Sequence, residues 1–279
     1  MLEISNISYG YRKGQKVVDD FSLSFNEGGI YGLLGKNGTG KSTLLYLIMG
    51  LLRPQSGTVK YNGVETRLRQ PETLGDMFIV PEEYNLPSIS LEAYLSAVRP
   101  FYPCFSDEIL DRCLAGFGMS RDTDLGALSM GQKKKIYMCV ALATNTRLLV
   151  MDEPTNGLDI PSKSQFRKVV ASGMTDDKII IISTHQVRDV ELLLDHVVVI
   201  DQNRVLTDTP MARLSERLSF VEVERGELPA DRLYEEQSLR GYSAIVPNEG
   251  DGETPVNLEL LFNALLSDVH REEISKRLA

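Results

Sequence analysis

The chain has 279 residues, with 39 acidic against 30 basic side chains and a formal net charge of −9. This length is enough for one large domain or two unequal ones, and the acidic balance argues against nucleic acid as the main partner. The three cysteines are far apart, which favours reduced thiols over disulfides or a zinc site. The first residues lack a signal-peptide pattern, so we expect none, and no apolar run reaches the roughly 18 residues that span a bilayer.

The first 127 residues contain several predicted strands, followed by a predicted helical segment. Residues 2–9 and 21–25 alternate apolar and polar side chains, which predicts strands with one solvated face, as in an antiparallel sheet. The apolar run 30–34 predicts a buried strand, and residues 57–63 predict a strand that ends in an Asn-Gly turn. The segment 88–127 is predicted to be helical, with Ser106 as a helix cap.

The later strands have a different pattern. Residues 148–151, 179–182 and 197–200 are continuous apolar runs, typical of parallel strands that are covered on both faces. From about residue 216 the chain becomes acidic, with weaker strands at 220–224 and 242–246. A final helix, capped by Asn257, is predicted to turn four side chains inward: Leu258, Leu261, Leu265 and Val269. This leucine stripe is interpreted as core, with a dimer contact as the alternative.

Residues 35–42 read Gly-Lys-Asn-Gly-Thr-Gly-Lys-Ser, a complete phosphate-loop motif between a predicted strand and a predicted helix. Its glycines let the backbone turn tightly and direct N–H groups at phosphate oxygens. Lys41 can reach the β- and γ-phosphates, and the Ser42 hydroxyl can bind Mg²⁺. A glycine-rich turn without a ligand is the alternative, but the strand–loop–helix context favours nucleotide binding.

A second motif lies about 110 residues further along, where the strand 148–151 runs into Asp152 and Glu153. In a phosphate-loop protein such a strand delivers its aspartate to the Mg²⁺ ion. The following glutamate is then placed to polarise a water molecule for attack on the γ-phosphate. An apolar strand that ends in Asp-Glu is common, so this motif gains weight only from its companions.

Those companions make the chain resemble the nucleotide-binding subunits of ABC transporters over roughly residues 2–212. The sequence 128–132, Leu-Ser-Met-Gly-Gln, is similar to the family's signature motif, and Asn156-Gly157-Leu158-Asp159 matches its D-loop. Ser183-Thr184-His185 matches its switch histidine, and Tyr11 lies where the family keeps a ring that stacks on adenine.

The resemblance implies an α/β phosphate-loop NTPase of ABC type, with a mixed core sheet, an antiparallel β subdomain and an α-helical signature subdomain at about 88–140. The ATP-binding domain is predicted to span 1–215 and a small α+β C-terminal module 216–279. Two such domains would sandwich two ATP molecules, with Ser129 and Gly131 closing over the partner's γ-phosphate. Glu153 would orient water, while His185 would contact the γ-phosphate and couple to the partner's D-loop aspartate.

The site residues that follow from the motifs and the resemblance form three sets. Catalysis is assigned to Glu153, His185 and Lys41. ATP contacts are assigned to Tyr11, Gly35, Asn37, Gly38, Thr39, Gly40, Lys41, Ser42, Thr43, Ser129, Gly131, Gln132 and Asp159. Mg²⁺ contacts are assigned to Ser42, Asp152 and Glu82.

The resemblance also implies partners and a location. A separate transmembrane permease and a homodimer or heterodimer of ATP-binding subunits are expected, on the cytoplasmic face of the cell membrane and without nucleic acid. The segment 101–106 looks like that of bacterial exporters of the bacitracin-resistance type. A soluble ABC ATPase acting on nucleic acid, ribosomes or a protein assembly is the rival, and a phosphate-loop kinase is disfavoured because it needs no signature.

Two departures from the family pattern stand out. Met130 occupies the first glycine position of the signature, where its side chain either points away harmlessly or crowds the γ-phosphate; we favour the first. Glu82 replaces the usual glutamine after the strand 78–80, where a carboxylate either binds the metal and adds repulsion or is a solvated loop residue. The catalytic interpretation of Glu82 is preferred.

Two assignments leave alternatives. Tyr9 lies two residues from Tyr11 and is the other candidate for the adenine-stacking ring; packing of either ring in the sheet is the third alternative. The lysine run 133–135 follows the signature and either attracts nucleotide or is a solvated helix face, and the solvated face is the commoner situation.

Overall fold

The computed structural model describes residues 1–224, 226–239, 241–250, 252 and 254–278. The chain forms two compact units, the first made of residues 1–30 and 40–184 and the second of residues 31–39 and 185–279. Across these described residues, every helix is too short or too polar to cross a bilayer.

The strands and helices that the sequence patterns predict occur in the predicted order, together with further elements for which the sequence patterns make no prediction. The strands are β1 (Leu2–Tyr9), β2 (Val18–Phe25), β3 (Gly29–Leu34), β4 (Ser56–Tyr61), β5 (Val64–Glu65), β6 (Met77–Val80), β7 (Leu148–Asp152), β8 (Ile179–Thr184), β9 (His196–Asp201), β10 (Arg204–Pro210), β11 (Leu218–Glu224), β12 (Tyr234–Gln237) and β13 (Gly241–Pro247). The α-helices are α1 (Lys41–Ile48), α2 (Pro71–Leu74), α3 (Leu91–Val98), α4 (Asp107–Phe117), α5 (Met130–Ala143), α6 (Ile160–Ser172), α7 (Met211–Arg217), α8 (Leu258–Leu266) and α9 (Asp268–Leu278).

The first unit contains an antiparallel sheet of strand order β2-β1-β4-β5. Strand β2 buries Phe21, Leu23 and Phe25 and exposes the residues between them, so the predicted one-sided strand is confirmed. Asn62 and Gly63 join β4 to β5 with positive φ angles of 49° and 82°, the conformation that an Asn-Gly hairpin turn requires.

The same unit contains three parallel strands in the order β6-β7-β8. Every residue of β7 and β8 is buried, which confirms the prediction from the continuous apolar runs. The parallel register places Asp152, the last residue of β7, directly opposite Ser183 of β8. The carboxyl ends of these strands therefore bring together acidic and hydroxyl side chains.

The predicted helical segment of the first unit consists of α3 and α4, followed by α5. Ser106 caps α4 by accepting a hydrogen bond from the Ile109 N–H at 3.2 Å, as predicted. Leu110, Cys113, Leu114 and Phe117 are buried on one face of α4. Helix α5 is buried along most of its second half, so its first turn is fixed by packing further along the helix.

The second unit contains a mixed sheet in which β9 pairs in parallel with β3 and antiparallel with β10. A second, antiparallel sheet has the order β11-β13-β12 and is followed by α8. Asn257 caps α8 by accepting from the Leu260 N–H at 3.0 Å, as predicted. The boundary at residue 216 between an ATP-binding domain and a C-terminal module remains a prediction.

The leucine stripe of α8 is core, since Leu258, Leu261 and Leu265 are at most 1% exposed. The inward orientation predicted for Val269 is wrong, because this side chain is 81% exposed. The reason is that α8 ends at Leu266 and a new helix begins at Asp268, so the helical phase of the stripe does not continue through Ser267.

Candidate nucleotide site

Residues 35–42 form the loop that leaves β3 and enters α1, and three glycines are needed for its path. A Cβ atom at Gly35 would lie 2.8 Å from both the Ile200 carbonyl oxygen and the Thr39 hydroxyl. Gly38 and Gly40 have φ angles of 82° and 94°, in the region that disfavours other residues. Asn37 is exposed in the loop, and the Thr39 hydroxyl donates to the Lys36 carbonyl at 2.9 Å. The loop thus has the tight, backbone-lined form of an anion cradle.

Lys41 is the first residue of α1, and its side chain is buried. Its Nζ atom lies 4.0 Å from Glu153 Oε1. Burial lowers the pKa of Lys41, and the carboxylates of Glu153, Asp152 and Glu82 oppose that shift. The ammonium group is therefore held, at some cost, where it meets the carboxyl ends of β7 and β8.

Asp152 is buried at the end of β7. The Ser183 hydroxyl donates to its Oδ1 atom. Its Oδ2 atom is buried and has no hydrogen-bond partner in the described part of the chain. Burial raises the pKa of Asp152, and the hydroxyls of Ser183 and Ser42 oppose the shift. A buried carboxylate oxygen without a partner, together with a nearby hydroxyl, is an all-oxygen donor set that suits Mg²⁺.

The described side chains do not by themselves group into a complete metal site. Among the described residues, no three His, Cys, Asp or Glu side chains are grouped to hold a metal ion. Protein-bound Mg²⁺ commonly takes one or two protein ligands and completes its shell with substrate phosphates and water. Asp152 and Ser42 therefore fit an ion that arrives with a nucleotide.

Glu153 directly follows β7 in a strained conformation, with φ at 44°. The Thr184 hydroxyl donates to its Oε2 atom at 3.0 Å, and its own N–H donates to the Ser183 carbonyl at 3.0 Å. The side chain is buried. Strand β8 thus fixes both the backbone and the carboxylate of Glu153 beside Lys41, in a position suited to a general base.

Glu82 is exposed, but it is not simply solvated. The amide nitrogen of Asn156 donates to Glu82 Oε1 at 3.0 Å. Asn156 belongs to the turn that follows Glu153 and closes it by donating its backbone N–H to the Glu153 carbonyl at 3.2 Å. Glu82 is therefore joined to the turn that carries the candidate base, and its predicted role as a metal ligand remains a prediction.

The signature residues lie at the exposed beginning of α5. The Ser129 hydroxyl accepts from the Gln132 N–H at 3.3 Å, and the Gln132 side chain accepts from the Ser129 N–H at 3.0 Å. This capping box orders the first turn and leaves the hydroxyl hydrogen of Ser129 available for donation. Met130 is 71% exposed, which leaves both alternatives for its side chain open.

Tyr11 lies beside the start of α1. Its ring is 60% exposed, and its hydroxyl is 3.2 Å from the Thr43 hydroxyl. The ring of Tyr9 contacts that of Tyr11 edge-on, with centroids 5.2 Å apart. An exposed ring next to the start of α1 is suited to stacking on a base, and of the two tyrosines Tyr11 is the more exposed.

The two remaining predicted residues are both exposed. Asp159 caps α6 by accepting from the Ser162 N–H at 2.9 Å, and this hydrogen bond lowers its pKa. His185 directly follows β8 in the second unit. Their assignments to ATP and catalysis remain predictions.

Lys134, Ser183 and Thr184 support the site, and the sequence patterns do not predict this role. Ser183 and Thr184 belong to the predicted histidine motif, in which only His185 is given a function. Lys134 was placed on a solvated face, but it is only 6% exposed. The sequence carried a signal for its burial, because Lys134, Met138 and Ala141 share the i, i+4, i+7 stripe of a helix.

A phosphate loop that leads into a buried lysine, beside an aspartate and a glutamate at the end of a parallel strand, defines a phosphate-loop nucleotide hydrolase. Comparison with known proteins narrows this class. Residues 18–156 match the model of a family described as ABC transporter. The bacitracin transport ATP-binding protein BcrA of Bacillus licheniformis is 31% identical over 209 residues, which cover 73% of this chain and 68% of that protein.

Two further similarities agree with this match. The Nod factor export ATP-binding protein I of Cupriavidus metallidurans is 32% identical over 198 residues, which cover 69% of this chain and 65% of that protein. The solved structure of an ATP-binding subunit of an ABC transporter superposes with a TM-score of 0.67 at 25% identity, covering 77% of this chain and 91% of that one. The chain belongs to the ABC transporter family, as an ATP-binding subunit.

Members of this group hydrolyse ATP to power transport, and the predicted fold class, ATP binding and ATPase activity are confirmed at this level. The relatives are transport proteins, so the rival function on nucleic acid, ribosomes or a protein assembly is not favoured.

Proposed function

We propose that this chain is the ATP-hydrolysing subunit of a membrane exporter, and that it works as a pair of ATP-binding chains. Each ATP molecule is bound by the phosphate loop of one chain and by Ser129 and Gly131 of the other. Export is favoured because the similar Nod factor protein is an ATP-binding protein of export.

The observation that carries the paired site is the environment of Gly131. Among the described residues, a Cβ atom there would find only the Gly157 carbonyl oxygen within 4 Å, at 3.7 Å, an ordinary van der Waals distance. Gly131 lies in the first turn of α5 and is not among the residues of positive φ. Within the described part of the chain, neither packing nor backbone conformation requires glycine, so close approach of a phosphate from a second chain explains the residue.

Within the site we assign one task to each side chain. Lys41 and the loop 35–40 hold the phosphates, and Asp152 and Ser42 hold the Mg²⁺ ion that accompanies them, with Glu82 as a further candidate ligand. Mg²⁺ supplies charge stabilisation at the phosphate oxygens when it is bound. Glu153 accepts a proton from the attacking water, and its buried, doubly anchored position keeps the carboxylate in place.

Mixing two inactive variants tests the paired site. Lys41→Met removes the phosphate lysine, and Ser129→Arg blocks the signature, so each variant alone should hydrolyse almost no ATP. In an equal mixture, half of the dimers contain one of each chain and one intact composite site, which should restore about a quarter of wild-type activity. A mixture that stays inactive while forming mixed dimers would contradict binding of ATP between two chains.

The permease subunit has a candidate docking surface in the first unit. An apolar pocket of about 830 Å³ is lined largely by apolar and aromatic side chains, among them Met77, Phe78, Phe101, Tyr102 and Tyr137. Phe101 is 72% exposed at this pocket, although it is a large apolar side chain. We propose that a helical segment of the permease fills the pocket, because large exposed apolar surfaces mark sites of association.

The pocket is also connected to the candidate site. Tyr137 lines the pocket and stacks on Tyr84, with ring centroids 4.5 Å apart, and Tyr84 follows Glu82 by two residues. A permease segment in the pocket would therefore contact β6, which precedes Glu82, and Tyr137, whose ring stacks on Tyr84. With the permease in this pocket, the subunit would lie on the cytoplasmic face of the membrane, as the resemblance implies.

A further inference from the structure

Lys134 is a buried charged side chain to which the proposed mechanism gives no role. It is the middle residue of three consecutive lysines, yet it is 6% exposed, whereas Lys133 and Lys135 are partly exposed. A lysine this deeply buried is rare unless its ammonium group is paired or hydrogen-bonded. Its partners therefore indicate what the buried charge does.

The ammonium group of Lys134 donates to two backbone carbonyls. It lies 2.9 Å from the carbonyl oxygen of Glu153 and 2.9 Å from that of Asn156. These two carbonyls bracket the turn 153–156, which directly follows β7. Lys134 thus holds the first and last residues of the turn that carries the candidate base.

Glu153 needs such an anchor because its backbone has a φ of 44°. A non-glycine residue remains in this region only when several contacts hold it there. Strand β8 holds the N–H and the carboxylate of Glu153, through Ser183 and Thr184. Lys134 donates to the carbonyl of Glu153, as the Asn156 N–H also does, so it adds a contact from α5 to those that fix the direction of the carboxylate.

The same side chain connects Glu153 to the signature. Lys134 lies one helical turn after Met130, the first residue of α5, and three residues after Gly131. A displacement of the first turns of α5 would therefore move the ammonium group and, with it, the carbonyl of Glu153. The hydrogen bond from Lys134 to the Glu153 carbonyl therefore connects the helix that carries the signature to the residue proposed as the base.

We infer that Lys134 is a positioning residue for ATP hydrolysis, which holds Glu153 in its working orientation and ties that orientation to the signature helix. This inference rests on the proposed role of Glu153 as the base. It does not require Lys134 to touch ATP, so the binding of nucleotide and the rate of hydrolysis should respond differently to its replacement.

The test compares Lys134→Met and Lys134→Gln with Lys133→Met in the full-length chain. Methionine keeps the length of the side chain and removes its donors, while glutamine keeps two N–H donors on a shorter side chain. We expect Lys134→Met to lower kcat roughly 10- to 100-fold, the effect of losing a charge-assisted hydrogen bond. The Kd of a non-hydrolysable ATP analogue should stay within about threefold. Lys134→Gln should be intermediate, and Lys133→Met should resemble wild type.

A double-variant comparison separates positioning from a general structural effect. In a Glu153→Gln background, Lys134→Met should lower the residual rate by no more than about twofold, because residues that act as a unit are not additive. The same fold-loss in both backgrounds, or wild-type kcat in Lys134→Met, would overturn the inference. If Lys134→Met fails to fold, the kcat and Kd of Lys134→Gln decide by the same criteria.

The two assignments can fail separately. If Glu153→Gln hydrolyses ATP at the wild-type rate, Glu153 is not the base and the proposed mechanism fails. If Glu153→Gln is inactive while Lys134→Met and Lys134→Gln keep wild-type kcat, the mechanism stands and only the inference about Lys134 fails.

Discussion

Replacing Lys41 with methionine should abolish ATP binding without destabilising the nucleotide-free protein. The ammonium group is 6% exposed and lies 4.0 Å from Glu153 Oε1. At an effective dielectric constant of about 20, this separation gives an attraction of about 4 kcal/mol. Removing an ammonium group from water costs several kcal/mol. Because burial lowers the pKa of Lys41 in spite of three nearby carboxylates, the charged side chain is a net cost to folding.

The pH dependence of this cost has a definite sign. A lysine whose pKa is lowered in the folded state costs stability in full below that pKa. The cost disappears as the pH rises through the folded-state value towards 10.5, the ordinary value. Nucleotide-free Lys41→Met should therefore unfold at the wild-type temperature or slightly above it near pH 7. At alkaline pH the difference should shrink.

Thermal unfolding with and without Mg²⁺ and ATP measures both effects. At a ligand concentration of 100 Kd, ATP should stabilise the wild-type chain by about 2.7 kcal/mol. At about 2–4 °C per kcal/mol for a chain of this size, Tm should rise by roughly 5–10 °C. The variant should show no such rise. Lys168→Met, on the exposed face of α6, is the matched control for the lost charge. A nucleotide-free Lys41→Met protein that unfolds well below wild type would refute the reasoning, since the ion pair would then outweigh burial.

Three further predictions test other parts of the molecule. Glu153→Gln should lower the rate of phosphate release by about 10²-fold or more and trap an ATP-bound dimer in size-exclusion chromatography; normal hydrolysis would remove Glu153 from its role. Phe101→Ser should reduce recovery of the permease subunit in affinity capture from detergent-solubilised membranes while the isolated chain still hydrolyses ATP; unchanged recovery would exclude the pocket as the docking surface. Leu261→Ala, at a fully buried position of α8, should lower the free energy of unfolding in urea by about 2–5 kcal/mol, and a loss under 1 kcal/mol would show that this helix is not core.

The parts of the site that the sequence predicts well are those set by local chemistry. Gly38 and Gly40 need positive φ, and Ser106 and Asn257 satisfy the N–H groups of helix ends, so neighbouring residues determine these features. The burial of β7 and β8 could also be predicted from the sequence, because strands that are apolar throughout are typically covered on both faces.

The features that sequence analysis missed depend on contacts between distant segments. Lys134 meets residues 19 and 22 positions away, and the run of three charges concealed its helical phase. Asn156 meets Glu82 across 74 positions, which no local pattern indicates. The predicted burial of Val269 is wrong because the stripe was extended along one continuous helix, whereas the helix breaks at Ser267. These errors share one cause, since tertiary contacts decide which face of a segment is buried.

Glu82, which replaces the family's usual glutamine, and the buried Lys134 both form a hydrogen bond with Asn156. Asn156 donates its side-chain amide to Glu82 and accepts a hydrogen bond from Lys134 at its backbone carbonyl. Glu82→Gln keeps an oxygen that can accept from Asn156, while it removes the negative charge and replaces the other carboxylate oxygen with an NH₂ group. We therefore expect this variant to retain ATP binding and to change the rate of hydrolysis or its pH dependence.

Rate measurements across pH for Glu82→Gln and Asn156→Ala separate charge from geometry. Asn156→Ala breaks the hydrogen bond and leaves the carboxylate charged, so it should slow hydrolysis without reproducing the changed pH profile of Glu82→Gln. Identical profiles for wild type and Glu82→Gln would exclude a catalytic role for the charge. If Asn156→Ala reproduced the pH profile of Glu82→Gln, the role of Glu82 in hydrolysis would depend on its hydrogen bond with Asn156. Glu82 would then position the turn 153–156, as Lys134 does, and would not act as a metal ligand.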